Sequence, residues 1–242
     1  MTDAVLAAVT EAATLASEMS SLEPYSFFVA WNGVIVLVFR GFPPALSGVK
    51  SRLAEVAETL GLRQESFGSM WPKMTLAALD DSAPSLTLEQ LTQLKALCET
   101  HTAGTLSSSA ALAVKELTVV DYEQRGLENR KGEQRRLVLP LPPPTSSAGL
   151  EEAEIARVDG VLNEWADLPT YLPHAAAAGS RIGSYRDSSP AGRTCVAFLD
   201  EQLALHGLHA KIAAFRAAVD ALGLSYSWLD EKSRHCTIRS LD

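Results

Sequence analysis

Two short runs in this chain carry residue types suited to acid–base and phosphate chemistry. His235-Cys236-Thr237, near the C-terminus, spaces an imidazole and a hydroxyl two residues apart. In a β-strand that spacing puts both side chains on one face and Cys236 on the other, and Arg239 extends the same face if the period of two continues. Lys73-Met74-Thr75 is the second run, with an ammonium in place of the imidazole and again a hydroxyl two residues on. An imidazole can take or give a proton at neutral pH, and hydroxyls and a guanidinium can hold phosphate oxygens. An ammonium with an unperturbed pKa of about 10.4 is a poor base at pH 7, but it neutralises phosphate charge, and burial or a neighbouring cation lowers its pKa. Trp71, just before Lys73, could stack on a ring of a ligand or fill a core. The polar face of the last strand is therefore either a solvated edge or the wall of a site.

The elements around the two runs favour a shared site. Sliding the chain on itself by 162 residues aligns Leu46 with Leu208, Leu60-Gly61-Leu62 with Leu222-Gly223-Leu224, Thr75 with Thr237, and Leu79-Asp80 with Leu241-Asp242. In each copy an amphipathic helix (Leu46, Val49, Leu53, Val56, Leu60; Leu208, Ile212, Phe215, Val219, Leu222) ends at a glycine suited to a left-handed cap. An apolar strand precedes each helix, Val34 to Phe39 and Thr194 to Leu199, and a strand follows each at the same distance. Each half thus reads as a βαβ-like unit, and a twofold relation between the units would turn both tripeptides toward one cleft.

The remaining stretches read as framework. A helix is expected over about 2–20. Asn32-Gly33 marks a two-residue hairpin between Tyr25–Trp31 and Val34–Phe39. The segment 62–72 reads as a loop bearing Phe67, Met70 and Trp71. Thr87 should cap a helix reaching about Thr100, with His101 favoured at its end by the helix dipole. Leu112–Tyr122 and Arg135–Leu141 suggest a second hairpin, joined by a mixed-charge loop, 123–134, expected to be solvated. Pro140 to Ser147 reads as a linker, stiff and then flexible. An acidic helix is expected from Gly149 to Leu168, and the Gly-, Ser- and Ala-rich stretch 169–190 reads as a surface loop in which Arg181, Tyr185 and Arg186 could serve a rim. The expected organisation is one bilobal domain over 1–242: a first lobe at about 25–140, the linker at about 140–148 and a second lobe at about 149–242.

Composition narrows the classes. The chain has 242 residues, 47% of them hydrophobic, which suffices for a sizeable core. A net charge of −8 argues against extensive nonspecific binding to nucleic acid, though a small phosphate or an RNA end remains compatible. Cys98, Cys195 and Cys236 are scattered and show no metal-ligand spacing, so a reducing compartment is expected, with no metal and no cofactor. No apolar run reaches membrane-span length. The start of the chain lacks a basic leader, so the cytoplasm is the expected location, or an organelle if a transit peptide has been removed.

Two βαβ-type units, each ending in a strand with an x-His-x-Thr or equivalent pattern, resemble the two-histidine phosphoesterase superfamily of RNA ligase and cyclic nucleotide phosphodiesterase-like proteins. The resemblance covers roughly Val34 to Leu79 and Thr194 to Asp242. It implies an α+β fold with two pseudo-symmetric lobes, antiparallel sheets around a central cleft and helices outside. It also implies hydrolysis of a 2',3'-cyclic phosphate or a similar small phosphodiester, with His235 as acid or base and Thr75 and Thr237 on the phosphate oxygens. Arg239 and Trp71 are further candidate contacts to the substrate. The first motif departs from the family pattern, because Lys73 stands where a second histidine is expected. Altered catalysis by His235 and Lys73 is one consequence; a noncatalytic ligand-binding or scaffold module of the same fold is the other. A structural protein without a cleft would keep Lys73 and His235 far apart.

Overall fold

The computed structural model describes residues 3–14, 20–65, 67–106, 109–129, 134–140, 149–188 and 191–242. The chain begins with α1 (Asp3–Thr14) and the short β1 (Ser20–Leu22). Of the helix expected over 2–20, residues 3–14 are helical and Ser20 already starts a strand, while residues 15–19 lie outside the described residues. β2 (Pro24–Val29) and β3 (Ile35–Phe39) form the expected antiparallel hairpin, with Val29 opposite Ile35. The connection is longer than the expected two-residue turn: Trp31–Gly33 form a 3-10 turn closed by the Ala30 amide donating to the Val34 carbonyl, and Asn32 and Gly33 take φ of 63° and 73°, a conformation that asparagine and glycine tolerate best.

The first helix after this hairpin is broken at Val56 into α2 (Pro44–Glu55) and α3 (Ala57–Leu60), and Gly61 ends it in the left-handed conformation, φ 67°. β4 (Lys73–Leu79) follows. α4 (Leu88–His101) starts in a complete capping box, in which the Thr87 hydroxyl accepts from the Gln90 amide and the Gln90 side chain accepts from the Thr87 amide. β5 (Leu112–Val114) pairs with β1, apart from the main sheet, while β6 (Glu116–Tyr122) and β7 (Gln134–Pro140) form a hairpin. The expected linker lies, beyond Pro140, outside the described residues.

α5 (Glu152–Asn163) gives the expected acidic helix. The stretch read as a loop instead holds α6 (Leu168–Ala175) and α7 (Gly183–Arg186). Its Gly, Ser and Ala content hid an apolar anchor: Tyr171 is buried, and its hydroxyl donates to the Val29 carbonyl at 3.0 Å. β8 (Gly192–Phe198), α8 (Asp200–Leu205), α9 (Leu208–Asp220), β9 (Tyr226–Trp228) and β10 (His235–Ser240) complete the chain. Gly223, after α9, has φ 69°, matching Gly61.

The fold is α+β with antiparallel pairing, and the main sheet runs β2-β3-β4-β10-β8-β6-β7, with β9 added on β4. Its centre is the pairing of β4 with β10, where Met74 faces Cys236. β6 and β7 therefore lie on the β10 side of the sheet, although their residues belong to the first expected lobe. Lobe membership follows strand pairing, which long-range contacts decide, and so the boundary of 25–140 does not describe the packing.

Alternation along the strands divides the faces. Met74, Leu76, Cys236 and Ile238 are fully or nearly fully buried on the side covered by α2, α4 and α9. There Phe27 of β2 stacks on Phe215 of α9 at 4.1 Å between centroids, a contact worth about 0.5–1.5 kcal/mol beyond its buried area. The opposite side chains face a cavity. Among the described residues no helix is long and apolar enough to cross a membrane.

Candidate active site

On the face of the sheet away from α9, a cavity of about 560 Å³ opens over the β4/β10 junction. Lys73, Thr75, His235, Thr237 and Trp71 all line it. Since Met74 pairs with Cys236, one step along the antiparallel register in each direction sets Thr75 against His235 and Lys73 against Thr237. Directly opposed side chains on one face have Cβ atoms about 4.5–5.5 Å apart, so the two tripeptides form one four-residue patch. The arrangement follows from local sequence: an alternating strand must bury Met74 and Cys236, which leaves the lysine, the imidazole and the hydroxyls facing the cavity.

Arg239 is not part of this patch. Thr237 pairs with Val196 and Arg239 with Cys195, so two residues of β10 advance against one of β8. This bulge at Ile238 reverses the alternation. Ser240 faces the cavity, and Arg239 turns to the helical side, where it is buried with one guanidinium nitrogen 3.1 Å from a Glu65 carboxylate oxygen and another donating to the Arg63 carbonyl. Lys50 joins the same cluster. It pairs with Glu65 and donates to the carbonyls of Ser69 and Ile238, at 2.9 and 2.7 Å. The cluster thus fastens the loop before β4 to α2 and β10. An extra residue in a strand leaves no mark in hydrophobic alternation when both neighbours are polar or small, which is why period-two reading put Arg239 on the wrong face.

The protonation states of the patch are set by burial. His235 Nδ1 lies 2.6 Å from the Ser233 carbonyl, which can only accept, so Nδ1 carries the proton and Nε2 is the basic nitrogen. Burial pulls the His235 pKa below its ordinary value, and the bond to Ser233 opposes this in part, so the ring is neutral at pH 7. Lys73 is lowered to about 8, chiefly by burial, with the Lys50 and Arg125 charges adding to the effect and Glu65 opposing it. Its ammonium donates to the Gly68 carbonyl and sits 3.9 Å from the centroid of the Trp71 ring. Lys73 is thus still mainly charged at pH 7, yet it can release its proton far more readily than an exposed lysine.

Further lining residues come from stretches that read as loops in the sequence, Tyr185 among the groups noted for a rim and Arg125 not singled out at all. Tyr185 is buried, hydrogen-bonds the Thr75 side chain, and has its pKa raised by that burial. Arg125, from the loop expected to be solvated, lies over the Tyr185 ring at 4.6 Å. That loop is held down through Gly126, whose amide donates to the Tyr185 carbonyl at 2.9 Å. Trp31 and Phe67, both exposed, stack at the mouth, and Trp31 also stacks on His174. Of the three polar groups noted for a rim, Tyr185 lines the cavity, Arg186 pairs with Glu128, and Arg181 is buried. Among the described residues no cluster of three or more His, Cys, Asp or Glu side chains is placed to hold a metal ion.

No protein-family model, curated protein or solved structure matches this chain.

Proposed function

We propose that this protein binds and hydrolyses a small phosphodiester, of the type of a 2',3'-cyclic phosphate, in the cavity over β4 and β10. The observation that carries the reading is the grouping of His235, Thr237, Lys73 and Thr75 on one cavity face, with the lysine buried enough to give up a proton near neutrality. The site uses a histidine and a lysine where the resembled family uses two histidines, and the two tripeptides are then halves of one internal repeat.

In the proposed reaction His235 Nε2 takes a proton from water as its oxygen attacks phosphorus. The bond from phosphorus to the leaving sugar oxygen breaks, and that oxygen takes a proton from the Lys73 ammonium. Thr75 and Thr237 donate to the equatorial oxygens, where charge builds up. The product is a phosphomonoester. After turnover His235 is protonated and Lys73 neutral, and exchange with solvent restores both. A positioned acid and a positioned base each contribute about 10²–10⁴-fold in rate.

A second reading, phosphate binding without turnover, is favoured by one observation: the Lys73 ammonium is already engaged by the Gly68 carbonyl and the Trp71 face. Calorimetric titration with 2',3'-cyclic nucleotides, followed by ³¹P NMR of the same samples, separates the two. Binding with a new phosphomonoester signal supports hydrolysis, binding alone supports the second reading, and no binding across the panel overturns both.

A further inference from the structure

The cavity differs in charge from the molecule around it. The whole chain carries −8, whereas the acid lining the cavity, Glu164, is matched against Lys73, Arg125 and the neutral ring of His235. Glu164 is also engaged, accepting from Trp31 Nε1 at 2.8 Å. Low-dielectric walls focus such a local excess of positive charge onto a ligand.

Arg125 contributes to this excess by construction. Gly126 is buried against Tyr185, and a Cβ there would meet the Tyr185 carbonyl oxygen at 2.9 Å, so the backbone next to Arg125 is closely fitted. Leu127 follows with φ 56° and its side chain buried against Val120 and Val196. Glu128 fixes the other end of the loop by pairing with Arg186 and accepting from the Asp230 amide at 2.7 Å. A loop held at Gly126, Leu127 and Glu128 presents the guanidinium over Tyr185 at the cavity, and among the described residues Arg125 enters no ion pair. Lys73 stands in the β4/β10 patch, where the phosphodiester would sit, whereas Arg125 comes from a separate loop and lies over Tyr185, so the guanidinium is placed to meet a different anionic group of the same ligand.

Resting on the reading of the site as a phosphodiester pocket, we infer that Arg125 is a second anion-binding residue and that the ligand is a small phosphodiester bearing a further phosphate group. The planar fork of arginine suits such a group, which it can hold through two parallel hydrogen bonds.

The test compares adenosine 2',3'-cyclic phosphate with and without a 5'-phosphate, by calorimetry at fixed ionic strength, on the wild type and on R125A and R125Q. The wild type is expected to bind the 5'-phosphorylated ligand roughly tenfold or more tightly than the other, and this ratio should fall to near one in both variants. Thermal unfolding of each variant confirms that the loop substitution leaves the fold intact. Equal affinity of the wild type for the two ligands, or a ratio that survives in both variants, overturns the inference while leaving the pocket's reading in place. A wild type that binds neither ligand overturns that reading and this inference with it.

Discussion

His235 and Lys73 differ in chemistry, but burial lowers the proton affinity of both. The imidazole is held below its ordinary value and the ammonium is lowered to about 8, both chiefly by loss of water. In the proposed hydrolysis His235 must be neutral to act as base and Lys73 charged to act as acid. Turnover should therefore fall in acid with a midpoint below about 6.5, the ordinary histidine value, and fall again in alkali near 8. An initial-rate profile from pH 5 to 10 checks both limbs. Activity still rising at pH 9.5 would show that Lys73 does not act as the acid. At this scale the two tripeptides were legible, because a short polar motif in a strand survives as a spacing of two. Arg239 and Arg125 were not: the first depends on the bulge at Ile238, the second on a fitted loop whose composition looks solvated.

The loop from Leu62 to Pro72 is the element on which the patch depends most. It carries Gly68, whose carbonyl holds Lys73, and Phe67, which stacks on Trp31. Its fastening is Glu65, which balances Lys50 and Arg239 in a poorly solvated position, its side chain 12% exposed. Removing the carboxylate leaves two buried cations facing each other, and breaking a buried pair in this way costs about 3–5 kcal/mol. E65A should lose stability of that order in urea unfolding and lose hydrogen-exchange protection over residues 62–69; a change below about 1 kcal/mol would mean the cluster does not hold the loop. Helices with strong punctuation, such as α4 with Thr87 and Gln90, could be read directly from sequence. α6 and α7 could not, because what anchors them lies across the fold, as in the hydrogen bond from Tyr171 to the Val29 carbonyl.

For the whole molecule, periodicity marked out the helices and strands and the family resemblance implied the α+β class; the central feature is the meeting of β4 and β10, strands some 160 residues apart in sequence, at the middle of one sheet. The offset that aligns Gly61 with Gly223 also aligns Lys73 with His235, and both glycines take the left-handed conformation that ends a helix. The placement of β6 and β7 on the far side of β8 had no counterpart in the sequence, since a hairpin's own pattern does not say which strand it will join. That topology brings one proton donor and one acceptor to a single cavity from opposite halves of the chain, so their contributions should be interdependent rather than additive. The most direct measurement is turnover of a 2',3'-cyclic nucleotide by the wild type, H235A, K73M and the double variant, all shown to be folded. Each single substitution should lower kcat by about 10²-fold or more, with the double variant little worse than the poorer single one. Turnover by H235A equal to that of the wild type would contradict the account.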